Sequence, residues 1–171
     1  MPDLVVAGAG MAGLAAAAHG RALGADVLLL EKGDRPGGSM LLSSGVIWRH
    51  RDFEQFREEC PGGDAALQRL VFDRLDGDIA WLESLGVPVL GRDTGNPLTT
   101  GVRFDPRGLT EVLARDSGVR LGEPLTRLHD GAPTILATGG FQADRELVRR
   151  HITPEADSLL LRAAPSPSGR C

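Results

Sequence analysis

Three glycines carry the first chemical signal. Gly8, Gly10 and Gly13 fall in the pattern G-x-G-x-x-G, after the apolar run Leu4-Val5-Val6-Ala7 and before the alanine-rich stretch 14–18. Glycine at the first position allows a tight turn off a strand. At the second it lets a pyrophosphate reach the backbone with no Cβ in the way, and at the third it lets a helix pack close to a sheet. A helix that begins with Met11 and Ala12 offers phosphate its unpaired N–H groups and a partial positive charge. Glu31 follows Gly13 by 18 residues and closes a second apolar run, Val27-Leu28-Leu29-Leu30. A carboxylate there accepts hydrogen bonds from both hydroxyls of an adenosine ribose and repels a 2′-phosphate. Strand, glycine turn, helix, strand and terminal acid make the layout of a dinucleotide-binding βαβ unit.

No other constellation competes with it. His19, His50, His129 and His151 share no metal-ligand spacing. Cys60 and Cys171, 111 positions apart, form neither a metal motif nor a disulfide framework. No metal site and no catalytic residue is assigned. Trp48 and Trp81 are expected to pack rather than to stack on a ligand, and Asp73, Arg74, Asp76 and Asp78 to form a solvated helix face.

The elements that must position the glycine turn follow from periodicity. Residues 3–7 and 25–30 have continuous apolar runs, the pattern of buried parallel strands. Residues 11–23 predict a helix that Gly24 ends. A glycine-rich loop spans 31–44, and a short helix 52–60 stops at Pro61-Gly62-Gly63. Asp64 is placed to cap a longer helix in which Leu67, Leu70, Val71, Leu75, Ile79, Leu82 and Leu85 recur at helical spacing. A short strand is expected over 87–90 and a polar loop over 91–104. A helix follows from Asp105 or Pro106, with parallel strands at 119–121 and 134–137, an extended piece at 125–129 and a helix over 144–151.

The totals suit one soluble domain. A chain of 171 residues buries about two-thirds of its unfolded surface. A net charge of −4 gives no general attraction to nucleic acid or anionic membrane, and no apolar run is long enough to cross a bilayer. The cysteine usage predicts a cytoplasmic protein.

The glycine turn and Glu31 leave NAD and FAD both open. Two further stretches narrow the choice. Glu31-Lys32-Gly33-Asp34-Arg35-Pro36-Gly37-Gly38-Ser39, followed by Leu42-Ser43-Ser44-Gly45-Val46-Ile47-Trp48, resembles the flavin loop of the fumarate reductase and 3-ketosteroid dehydrogenase flavoproteins. Ile135-Leu136-Ala137-Thr138-Gly139-Gly140-Phe141 resembles that family's strand-to-turn signature. The three motifs stand in the family's order.

The resemblance implies an FAD-dependent oxidoreductase that passes a hydride between a substrate carbon and FAD. It puts Gly8, Gly10, Met11, Ala12 and Gly13 at the FAD pyrophosphate and Glu31 at the ribose. Lys32, Gly37, Gly38, Ser39, Ser43, Ser44 and Gly45 would lie along the pyrophosphate, ribityl chain or flavin, with Ala137, Thr138 and Gly139 approaching from the neighbouring strand. The implied fold is α/β and Rossmann-like, a mostly parallel four-stranded sheet in the order 3-2-1-4 flanked by helices, with 1–162 as the FAD-binding domain and 163–171 as a disordered tail. The alternatives are a non-catalytic adenine-nucleotide-binding or interaction module and an NAD-dependent enzyme.

Two departures bear on activity. The family's capping domain and C-terminal return would follow Arg162, so the sequence is expected to be a fragment whose acid–base groups come from elsewhere, for instance from a partner chain. The sequence contains no tyrosine, so tyrosine-assisted chemistry cannot run on it alone. The substrate is not assigned. Residues 125–133 are also short for the family's antiparallel meander, and without a returning strand 135–137 is expected to be an exposed apolar sheet edge.

Overall fold

A computed structural model describes residues 1–128 and 131–160. The elements are β1 (Leu4–Ala7), α1 (Met11–Ala22), β2 (Val27–Glu31), β3 (Val46–His50), α2 (Phe53–Glu59) and α3 (Ala65–Ser84). There follow β4 (Val89–Gly91), β5 (Thr99–Phe104), α4 (Pro106–Ala114), β6 (Arg120–Leu121), β7 (Thr134–Leu136) and α5 (Arg145–His151). They divide into two compact units, Met1–Leu42 with Leu113–Cys171, and Ser43–Val112.

The first unit is built on a four-stranded sheet in the order β6-β2-β1-β7, all parallel, with Leu4 opposite Val27, Val5 opposite Thr134 and Leu30 opposite Arg120. This is the expected order 3-2-1-4. The central strands bury Val5, Val6 and Leu29 completely, which is why their apolar runs are continuous rather than alternating. Helix α1 lies close to the sheet: a Cβ on Gly20 would come within 3.1 Å of a Val27 methyl. Gly24, at φ +88°, turns the chain out of the helix, and Arg21 Nη2 donates to the Val27 carbonyl at 2.5 Å. α5 is capped by the Asp144 carboxylate, which accepts the amides of Glu146 and Leu147. Among the described residues β7 is a sheet edge, with Ile135 partly exposed and Leu136 64% exposed. It is the apolar edge expected there.

The second unit contains a structure the sequence reading missed. Residues 99–104, expected within a polar loop, form β5, and 46–50 form β3; with β4 they make an antiparallel sheet in the order β3-β5-β4. The Thr-Thr-Gly start of β5 resembles a turn, but Gly101 stands opposite Trp48. A Cβ on Gly101 would come within 2.1 Å of the Ile47 carbonyl oxygen, so the close strand approach requires glycine. Arg49 ties this sheet to α3, pairing with Asp76 at 2.6 Å and lying 4.6 Å over the Phe72 ring.

Asp52 and Asp64 cap α2 and α3, accepting the amides of Gln55 and Leu67. The expected stripe of α3 is only partly buried. Ile79 and Leu82 are inside, whereas Leu67, Leu70 and Val71 are exposed. At the helix start the buried residue is Gln68, whose Nε2 donates to the Cys60 carbonyl at 2.9 Å while its Oε1 accepts from Arg57. A polar staple sets the register there.

Two expectations fare differently. Residues 125–128, expected to be extended, are part of no strand; just before them Gly122 and Glu123 donate their amides to the Gly33 and Glu31 carbonyls. His129 and the tail 163–171 lie outside the described residues.

Candidate functional site

The site of the first unit starts where β1 ends. Gly8 has φ +101°, a conformation that glycine adopts without a Cβ clash. Its amide donates to the Leu30 carbonyl at 2.7 Å, and a Cβ on it would lie 2.4 Å from the Ala137 carbonyl oxygen. A Cβ on Gly13 would lie 1.7 Å from the Gly8 carbonyl oxygen. These two glycines are therefore required by the fold itself. Gly10 differs: its φ of −77° suits any residue, and a Cβ there would meet nothing within 4 Å. Gly10 is also the N-cap of α1 with no side-chain cap, so Met11 and Ala12 open the helix beside unfilled space. An uncapped helix start next to a Cβ-sized gap is the cradle a phosphate group needs.

Glu31 closes this turn from the side. Its Oε2 accepts the Ala9 amide at 2.7 Å and its Oε1 the Gly33 amide at 2.8 Å. Each oxygen keeps a further lone pair for a ligand hydroxyl. The Ala9 carbonyl in turn accepts the Gly37 amide at 2.7 Å. Gly37 and Gly38 have φ of +109° and +51°, and a Cβ on Gly38 would stand 3.4 Å from the Gly10 Cα. The structure thus brings together Gly8–Gly13, Glu31, Gly37, Gly38 and Ala137. Thr138 adjoins Gly8 through its Cα, 3.3 Å from where the Gly8 Cβ would be. Lys32 and Ser39 are exposed on the same loop. Gly139, at φ +75°, turns the chain away from β7.

Ser43, Ser44 and Gly45 belong to the second unit. Ser43 Oγ accepts the Gly45 amide at 3.1 Å. The Gly45 carbonyl accepts the Phe104 amide at 2.9 Å, and the Ser44 carbonyl accepts Arg103 Nε–H at 3.3 Å.

Sequence reasoning missed several participants. Ala9 and Gly33 act only through their backbone groups, which no side chain advertises. Gly122 and Glu123 donate their amides to the Gly33 and Glu31 backbone carbonyls at 2.9 and 3.0 Å, fastening the loop after β6 to the end of β2. The signal available was Gly122, at φ +71°, directly after the strand. Among the described residues no three His, Cys, Asp or Glu side chains could hold a metal ion, and no helix is long and apolar enough to cross a membrane.

Residues 3–164 match the family described as FAD binding domain. The chain belongs to the FAD-binding domain family. FAD is its cofactor, and the glycine turn, the uncapped start of α1 and Glu31 fit the adenosine diphosphate half of that group.

Over 138 residues the chain is 32% identical to lysine-specific histone demethylase 1 homolog 1 of Arabidopsis thaliana, covering 81% of this chain and 11% of that protein. In fold it matches the open conformation of a flavocytochrome c3 fumarate reductase with a TM-score of 0.75 at 23% identity, covering 95% of this chain and 38% of that one. It also matches 3-ketosteroid-Δ4-(5α)-dehydrogenase from Rhodococcus jostii RHA1, TM-score 0.72 at 21% identity, covering 95% of this chain and 50% of that one. The 3-ketosteroid Δ1-dehydrogenase from Sterolibacterium denitrificans gives 0.65 at 13% identity, covering 89% and 50%. The chain therefore spans at most half the length of these solved relatives and a small part of the curated one.

Proposed function

We propose that this chain is the FAD-holding part of a flavoprotein oxidoreductase, and that residues 1–162 are its FAD-binding domain. When bound, FAD supplies hydride transfer to or from a substrate carbon. The chain's own residues bind and orient it. The amides at Gly10, Met11 and Ala12 take the pyrophosphate, Gly8 and Gly13 set the turn, and Glu31 takes the ribose hydroxyls. Lys32, Gly37, Gly38 and Ser39 line the phosphate side, with Ala137, Thr138 and Gly139 behind the turn. On the motif resemblance, Ser43, Ser44 and Gly45 take the flavin end.

The observation that carries this reading is the double latch of Glu31 onto Ala9 and Gly33, next to the open position at Gly10. Groups for substrate and proton transfer are proposed to come from polypeptide outside these residues, in the same protein or a partner chain. The exposed apolar edge of β7 supports a further strand docking there. Among the described residues Cys60 is a free, exposed thiol, which supports a reducing, cytoplasmic setting.

Titration of the full chain with FAD, ADP and NAD tests the proposal. Binding of both FAD and ADP, with a yellow protein, supports it. Uptake of ADP without FAD would make the chain a nucleotide-binding module, and a preference for NAD over FAD would make it a nicotinamide protein.

A further inference from the structure

We propose that α3 is the contact surface for a second copy of this chain, through antiparallel pairing of the two α3 helices about a two-fold axis. The inward face of α3 is fixed by Gln68, Ile79 and Leu82, which are buried. A second stripe runs beside it. Leu67, Val71, Arg74, Asp78, Trp81 and Leu85 recur at alternating steps of four and three residues, the spacing by which two helices pack side by side. Leu67, Val71 and Leu85 are exposed, as are Leu70 on the same stripe and both charged residues. Trp81 is half-buried.

The stripe is self-complementary in one direction only. With an axis at the level of Asp76, antiparallel pairing sets Arg74 of each copy against Asp78 of the other. The same axis sets Val71 against Trp81 and Leu67 against Leu85. Parallel pairing would instead oppose Arg74 to Arg74 and Asp78 to Asp78. A two-fold contact uses the same patch on both subunits, and this one places apolar against apolar and cation against anion. Charges at its centre also fix the register of the apolar ends.

Two further observations on α3 agree. Among the described residues neither Arg74 nor Asp78 forms an ion pair. They stand four apart on one helix, but the cation comes first, the weaker order for a pair along a helix. Both charges are therefore open to a partner. Gly77 is the other observation, since a glycine inside a helix costs stability relative to alanine. Its own surroundings do not require it: a Cβ there would meet nothing within 4 Å. It flanks the stripe next to the axis, where a missing side chain lets two helices approach closely.

Sedimentation velocity on the full chain over a concentration series tests the pairing, with circular dichroism to confirm that each variant keeps its helices. The unsubstituted chain should form a dimer that dissociates on dilution. Arg74→Glu and Asp78→Arg each place like charges across the axis and should weaken self-association by about tenfold or more. The two variants mixed together should dimerise again, because every charge then faces its opposite. An unsubstituted chain that stays monomeric throughout the series overturns the proposal. So does a dimer that neither reversal weakens, or a mixture no tighter than the separate variants. Should either reversal cost helix content, Val71→Gln reads the same stripe without a change of charge: weakening upholds the contact, and an unchanged dimer refutes it.

Discussion

Glu31 reaches back 22 residues to accept the Ala9 amide at 2.7 Å. The carboxylate that ends β2 is therefore a brace for the glycine turn after β1. With its second oxygen on the Gly33 amide at 2.8 Å, it links the glycine turn to the loop after β2. It shapes the site before any ligand arrives.

Removing that brace should loosen the turn. Glu31→Ala is expected to cost about 1–3 kcal/mol in urea unfolding, the range for hydrogen bonds to a charged group in a part-buried place. Glu31→Gln keeps one acceptor oxygen and should cost less. Equal losses in the two variants would show that one retained acceptor oxygen contributes nothing.

Gly13→Ala should fail at the level of the fold. Its Cβ would sit 1.7 Å from a backbone oxygen that no rotamer can move. A loss of about 3 kcal/mol or more is expected, measured by denaturation, with or without ligand. Near-normal stability would mean that the helix shifts freely on the sheet.

In the second unit, Gln68→Ala removes the staple between α2 and α3. It leaves the Cys60 carbonyl and Arg57 without that partner, so a loss of about 1–3 kcal/mol is expected in urea unfolding. An unchanged midpoint would show that water replaces the buried amide at no cost.

Near the end of the described chain, the Thr153 hydroxyl donates to the Glu155 carboxylate and, with a backbone hydrogen bond, holds its pKa below the ordinary glutamate value. A depressed carboxylate stabilises the folded state above its unfolded pKa, and that contribution is lost as pH falls through the folded pKa. Carboxyl NMR of Thr153→Ala should show the Glu155 midpoint moving up. No movement would assign the effect to the backbone alone.

The parts legible in the sequence were those set by local chemistry. Continuous apolar runs marked β1 and β2, and the glycine spacing marked the turn, because a strand buried on both faces and a helix pressed on a sheet each restrict residue type directly. The β3–β5 pairing was not legible. Its logic lies in Gly101 facing Trp48 from 53 residues away, a relation that appears only when the strands meet. Glu31 was legible as an acid in the right place, but its partners are amides and leave no mark on side-chain identity. The start of α3 misled for a similar reason, since Gln68 rather than Leu67 or Leu70 is buried.

The central claim is that the open position at Gly10 receives the pyrophosphate of FAD. Gly10→Ala tests it most directly, because φ −77° and a Cβ that meets nothing within 4 Å leave the fold untouched. Calorimetric titration with FAD, beside a urea melt, should show at least a tenfold loss of affinity, about 1.4 kcal/mol, with the unfolding midpoint nearly unchanged. FAD binding as tight in Gly10→Ala as in the unsubstituted chain would contradict the account.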